Sequence, residues 1–338
     1  MSKMTAVQVP RAGADFEVVE RDVPEPARGE VRVKVEACGV CHSDMFTKEG
    51  AFPGIEYPRV PGHEVVGRID ALGEGVQGWR AGERVGVGWH GSHCGYCRNC
   101  RRGDFTTCEN LRISGISFDG GYAEYMVADQ TGLVRLPEAV QAAESAPLLC
   151  AGVTTYNALR HSGARPGDVV AVQGVGGLGH LGVQFAHRMG LRTVAVSSGP
   201  HKRDLATELG ADQYIDASQE DPVKALQALG GAQAILATAP NAEAMSQLID
   251  GLGPNGCMMI VGATPEPVQV APTQIIGARK SIQGFACGHA TDSEDTVNFS
   301  VLADVRAHVE TYPLREAGRA YERMMSNEAR FRSVLVME

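Results

Sequence analysis

The sequence predicts an α/β chain in two parts, one mostly β and the other a doubly wound parallel sheet. Three observations carry that expectation. Up to residue 150 the chain reads as short strands cut by turns. From Gly167 strand and helix alternate, and a glycine-rich turn joins the first strand of that stretch to its first helix. The 41 glycines beside only 6% aromatic residues agree with many tight turns and close backbone approaches.

In the first part, residues 30–36 (EVRVKVE) alternate as a half-buried strand does, and 64–71 and 84–89 are Val-rich between Gly and Pro. A partly closed, antiparallel arrangement is expected. In the second part, 168–173 (DVVAVQ) is a short buried-type strand, 180–189 has helical spacing, and 193–197, 234–238 and 257–261 repeat the strand pattern. After about Cys287 the chain turns polar and ends in a strand-like 333–337, a tail that could complete the first part and make it discontinuous.

A length of 338 residues suffices for two domains with substantial cores, and 43% hydrophobic with 21% charged residues marks a globular chain. A net charge of -9 and a pI near 5.6 argue against nucleic acid or an anionic membrane as partner. The longest apolar runs fall short of a membrane span. The first twenty residues lack an apolar core of signal-peptide type, so the nine cysteines are expected in a reducing cytoplasm.

There, dense cysteine spacing favours metal over disulfides. Cys94, Cys97, Cys100 and Cys108, spaced C-x2-C-x2-C-x7-C, read as a closed tetrahedral site for a structural zinc. A second set, Cys41, His63 and Cys150, offers two thiolates and an imidazole, which leaves a fourth tetrahedral position for water or substrate, as a catalytic zinc requires. Two zinc ions per chain are expected. Cys38, Cys257 and Cys287 have no motif partners and read as small core residues, and His90 and His93 read as loop histidines beside the lobe.

Gly174, Gly176 and Gly179 form G-x-G-x-x-G between a strand and a helix, with Gly177 inside the same turn. The first glycine makes the turn, the second lets the backbone approach a pyrophosphate, and the third allows close helix–strand packing. An acidic residue closing the second strand would select NAD. Here that strand ends in Ser197 and Ser198, followed by Lys202 and Arg203, so hydroxyls and cations are available to a 2'-phosphate and NADP(H) is favoured over NAD. The alternative is a solvated helix start in an unselective enzyme.

At residues 39–44, at Gly62-His63-Glu64, in the four-cysteine lobe with Gly103-Asp104, at Cys150 with Thr154, and in the glycine turn, the chain resembles the zinc-dependent alcohol dehydrogenases of the medium-chain dehydrogenase/reductase family. The resemblance runs from near Val31 to the C-terminus. Its Ser197-Ser198 and Lys202-Arg203 stretch is most similar to the NADP-linked cinnamyl-alcohol-dehydrogenase-like branch.

The resemblance implies a GroES-like catalytic domain, residues 1–152 and 288–338, and a Rossmann domain, 153–287, with the active site in the cleft between them. It implies that Cys41, His63 and Cys150 bind catalytic zinc, that Glu64 lies close to the metal, and that Asp44 orients His63. Thr154 would touch the nicotinamide, His42 and Arg332 the cofactor phosphates, with Arg330 as an alternative to Arg332. Ser43 would relay the hydroxyl proton while hydride passes between substrate and nicotinamide.

Many relatives carry a histidine five residues after the Cys41 position, as the outer end of that relay; this chain has Phe46, which cannot carry a proton. Phe46 and Trp89 either wall a pocket for apolar or aromatic alcohols and aldehydes or simply pack together. A homo-oligomer, dimer or tetramer, is implied, with the chain around 261–284 as a candidate edge. The rival readings are an NAD-dependent or dual-cofactor alcohol dehydrogenase, a zinc-dependent polyol dehydrogenase, a zinc-free reductase of the same broad fold, and a nucleotide- and zinc-binding structural protein without turnover.

Overall fold

The computed structural model describes residues 2–337. They form two compact units: one runs to Val153 and resumes at Cys287, the other is Thr154–Ala286.

The first unit is built on a seven-stranded sheet. Its order is Val309–Pro313, Arg332–Val336, Glu30–Gly39, Val65–Leu72, Arg84–Val87 and Leu133–Arg135, with Tyr125–Asp129 also paired to Glu30–Gly39. All pairings are antiparallel except that of the first two strands. Alternation in the sequence becomes alternation of faces: Val31, Val33 and Val35 are buried while Lys34 is exposed. Each fully buried Val stabilises by roughly 1.5–3 kcal/mol, and together with Val65, Ile69, Val85 and Met126 these side chains make one core.

Past Val35 the pairing with Val65–Leu72 shifts register, and the strand end Ala37–Gly39 is buried throughout. The C-terminal strand closes on that end, pairing Val334 with Gly39 and Leu335 with Cys38. The tail therefore returns to the first part of the chain, beside the strand that leads into Cys41.

The second unit is a six-stranded parallel sheet, ordered Gln213–Asp216, Arg192–Ser197, Val169–Gln173, Ala232–Ala237, Leu252–Ile260 and Ser281–Gly284. Val170, Ala171, Val172, Ile235, Leu236 and Ala237 are all fully buried, as a sheet covered on both faces demands. Strand order reverses at Val169–Gln173, the place in a doubly wound sheet where ligands bind, and there the glycine turn leads into the helix Gly179–Arg188. The edge strand Ser281–Gly284 is mostly exposed. Among the described residues no helix is long and apolar enough to cross a membrane.

Candidate active site

Cys41 lies between the strand Glu30–Gly39 and the helix Asp44–Glu49, His63 and Glu64 directly precede the strand Val65–Leu72, and Cys150 precedes the helix Ala151–His161. One ligand atom from each of these four residues lies within 4.8 Å of all the others. Cys41 Sγ and Cys150 Sγ are 3.9 Å apart. That is far too long for a disulfide, and it matches the roughly 3.8 Å between two thiolates on one tetrahedral zinc with bonds of about 2.3 Å.

Asp44 organises the set. Its carboxylate is 2% exposed; Oδ1 lies 3.1 Å from His63 Nδ1, and Oδ2 accepts from the Cys41 amide (2.8 Å) and the Tyr122 hydroxyl (2.9 Å). With Nδ1–H directed at Asp44, the free lone pair of His63 is on Nε2, which is buried and has no protein partner. Glu64 is also fully buried. Its Oε1 accepts from Arg332 Nη2 at 2.5 Å, and its Oε2 is unpartnered. Two orphaned acceptors beside two thiols are what a soft or borderline cation would satisfy, so the residues fit a zinc ion.

The electrostatics agree. The hydrogen bond from Cys150 holds the Cys41 thiol well below its ordinary range, with the charges of His63 and Arg332 helping, while donating that bond pushes Cys150 well up. Burial raises Glu64 to about 7, against the pull of Arg332. Burial alone would lower Arg332; the charge of Glu64 outweighs it and keeps the guanidinium protonated.

Backbone shape makes room for these groups. At Gly39 a Cβ would sit 1.8 Å from Glu64 Oε2. Gly62, at φ +104°, would press a Cβ to 2.5 Å from the Tyr122 ring and 2.8 Å from Cys38 Sγ, so its neighbour His63 depends on a residue without a side chain.

The four-cysteine lobe forms a second set within the same 4.8 Å limit. Sulfur separations are 3.7 Å for Cys94–Cys108 and 4.0 Å for both Cys94–Cys100 and Cys97–Cys108. Amides of Cys97, Cys100 and Asn110 donate to the sulfurs of Cys94, Cys97 and Cys108, stabilising thiolate charge. Burial opposes ionisation of Cys94, yet hydrogen bonds from the Asn110 side chain and from the Cys97 and Tyr96 amides bring it down to about 6.

Phe46 stands 6.4 Å from Trp89 and 6.1 Å from Phe52, and of these three rings Trp89 meets the His63 ring, edge-on at 5.0 Å. Phe52 was not legible in the sequence. It sits in a loop with no periodicity to mark it.

Arg332, expected at cofactor phosphates, is 3% exposed and donates through Nη2 to Glu64 and to the Val40 carbonyl (3.2 Å), while its Nε has no protein partner. Arg330, the alternative, donates to the carbonyls of Asn327 and Ala329. Ser43 is half-buried between Cys41 and Asp44, and His42 is exposed.

In the second unit the glycines divide by role. A Cβ on Gly179 would lie 1.8 Å from the Gly174 carbonyl, and one on Gly174, at φ +90°, would lie 2.7 Å from Ala239 Cβ; around Gly176 nothing lies within 4 Å. Gly176 thus faces open space, the position from which a backbone amide reaches a phosphate. Thr154 is 7% exposed.

Ser197 ends its strand, and the following turn through Gly199 (φ +83°) is braced from the next strand: the Gly199 amide donates to Asp216 Oδ1 (2.8 Å), and the Tyr214 hydroxyl donates to the Gly199 carbonyl (2.6 Å). Asp216 also accepts from the Ser218 amide and hydroxyl, and that hydroxyl is the main cause holding it below the ordinary carboxylate range. Arg203 stacks over Tyr214 at 4.9 Å. Ser198 is exposed and Lys202 half-buried in the same turn. Asp216 and Tyr214 were missed because their contact with the turn is made across the sheet.

Known proteins place this geometry. Residues 27–138 match the alcohol dehydrogenase GroES-like domain and residues 177–301 match the zinc-binding dehydrogenase family. The chain is 46% identical to alcohol dehydrogenase patD of Penicillium expansum, over 96% of this chain and 95% of that protein. Among solved structures it is similar to a cinnamyl alcohol dehydrogenase of Sorghum bicolor (TM-score 0.90, 30% identity, 99% and 98% of the two chains). It is also similar to an NAD-dependent alcohol dehydrogenase (TM-score 0.92, 26% identity, 99% and 100%).

Proposed function

Since the chain belongs to the zinc-binding alcohol dehydrogenases of the medium-chain dehydrogenase/reductase family, we propose that it moves hydride between NADP(H) and a primary alcohol or its aldehyde, with apolar and aromatic substrates preferred. The observation that carries this reading is the pair of thiols 3.9 Å apart beside an unpartnered His63 Nε2.

Cys41, His63 and Cys150 would hold the ion, with Glu64 close by. When bound there, zinc supplies Lewis-acid stabilisation of negative charge on the substrate oxygen. Asp44 fixes the His63 ring and its tautomer, and Arg332 holds Glu64 in place and balances its charge. Ser43 takes the substrate hydroxyl proton at its Oγ and passes it on. Phe46 cannot accept it, so the relay leaves by water or a cofactor hydroxyl rather than through position 46. Phe46, Phe52 and Trp89 exclude water and offer ring faces to an aromatic substrate.

For the cofactor, amides of the turn through Gly174, Gly176, Gly177 and Gly179 would hold the pyrophosphate, with His42 a further phosphate contact and Thr154 beside the nicotinamide. Ser197, Ser198 and Lys202 would receive a 2'-phosphate. The exposed edge strand Ser281–Gly284 offers unpaired backbone groups for joining two copies into a homo-oligomer.

The experiment is a comparison of kcat/KM for NADPH and NADH on zinc-replete protein, with benzaldehyde and acetaldehyde as oxidants. NADPH and benzaldehyde are expected to win. A preference for NADH would refute the phosphate pocket and favour the NAD-linked reading, a preference for acetaldehyde would refute the aromatic pocket, and no consumption of either cofactor would refute turnover.

A further inference from the structure

Outside the sites above, His90 is the most anomalous polar side chain of the first unit. It opens the short strand His90–Ser92, is 3% exposed, and has neither Nδ1 nor Nε2 paired with any protein group. A dry imidazole with both nitrogens idle is costly, because each neutral ring carries one donor and one acceptor to satisfy. His93 repeats the pattern, its Nδ1 buried and unpartnered.

The two rings face each other at 5.2 Å between centroids, and His93 is held from behind by stacking on Phe105 at 4.1 Å. At the N-cap of the helix Ala290–Ala303 stands a third imidazole, His289, its centroid 6.5 Å from that of His90. Asp292 approaches His289 Nε2 at 3.5 Å and accepts from its amide at 3.1 Å, which is how a carboxylate orients a metal-binding histidine.

We propose that His90, His93 and His289 form a third cation site in this chain, for a divalent transition ion that favours nitrogen ligands, such as Ni2+, Cu2+ or Zn2+. The chemistry of the set selects the ion class: three imidazoles and no thiolate favour borderline cations over hard ones. With metal–nitrogen bonds of about 2.0–2.1 Å, two rings sharing one tetrahedral ion have centroids about 5 Å apart, the spacing His90 and His93 already have. The donors are more widely spread than in the two cysteine-containing sets, and His289 lies farther from His90 than His93 does. Once bound, the ion ties the cysteine lobe to the start of the helix Ala290–Ala303.

The test is equilibrium dialysis of tag-free, zinc-replete protein against micromolar Ni2+, with nickel and zinc both counted by elemental analysis. Wild type is expected to take up one nickel with no loss of zinc. His289→Gln, at a partly exposed position, should weaken uptake at least about tenfold, and Asp292→Asn by about tenfold through the orienting contact. Should His289→Gln be too unstable to assay, His90→Phe gives the same reading. The proposal is overturned if wild type binds no nickel beyond its zinc, if nickel enters only as zinc leaves, or if the variants bind as wild type does.

Discussion

Arg332 and Glu64 are 268 positions apart in sequence, yet Arg332 Nη2 lies 2.5 Å from Glu64 Oε1 with both side chains buried. The pair joins the C-terminal strand to the loop that carries His63. A buried ion pair adds little net stability, but removing one partner strands the other charge in a poor solvent. Arg332→Ala is therefore expected to destabilise the protein by about 3–5 kcal/mol, read as a fall in the thermal unfolding midpoint. A midpoint unchanged from wild type would show that Glu64 is not held by this charge.

A second prediction concerns Asp44, whose carboxylate serves His63, the Cys41 amide and Tyr122 at once. Asp44→Asn keeps the shape and loses the charge that sets the His63 tautomer. Affinity for one zinc should fall about 10–100-fold, measured by competition with a chromophoric chelator. Tyr122→Phe, which deletes one of several donors, should cost about 1 kcal/mol of stability and leave zinc affinity nearly intact.

A third concerns the turn after Ser197. Asp216 pins the Gly199 amide, so Asp216→Ala frees a segment proposed to hold the 2'-phosphate. KM for NADPH should rise severalfold while kcat stays near wild type, because the chemistry is untouched. An equal fall in kcat with KM unchanged would point to a different role for the turn.

A fourth is a pH effect away from the site. Glu310 accepts from Arg323 (2.5 and 3.2 Å), the Arg330 amide and Tyr312, and is held at about 2, chiefly by Arg323. A carboxylate depressed in the folded state adds stability that is fully present above its unfolded value, near 4.3, and is lost as pH falls toward 2. Both side chains are partly exposed, so solvent screening reduces the contribution to on the order of 1 kcal/mol. The midpoint difference between wild type and Glu310→Gln should be constant above pH 5 and shrink between pH 5 and 2. A difference that grows on acidification would reverse the assignment.

The parts legible in the sequence were those whose chemistry is local. Cys94, Cys97, Cys100 and Cys108 announce themselves by spacing, the glycine turn by its place between strand and helix, and Cys41, His63 and Cys150 by residue type and by what surrounds them. What stayed hidden depends on tertiary approach. Tyr122 meets Asp44 across 78 positions, and Arg332 meets Glu64 across 268.

The helix Ala290–Ala303 was hidden for another reason. Its buried face carries Ser293, Thr296 and Ser300 beside Val297, so no apolar period marks it; Thr296 and Ser300 return their hydroxyl hydrogens to carbonyls four residues back. The strand Leu252–Ile260 likewise opens on Gly253, Pro254 and Gly256, which read as a turn until the neighbouring strand is in place.

The most direct measurement is the zinc content and turnover of Cys150→Ser beside wild type, both dialysed so that only tightly held metal remains. The account predicts one zinc fewer per chain, the four-cysteine lobe still filled, cofactor affinity kept and turnover lost. A Cys150→Ser protein that retains the wild-type zinc content and rate would contradict it.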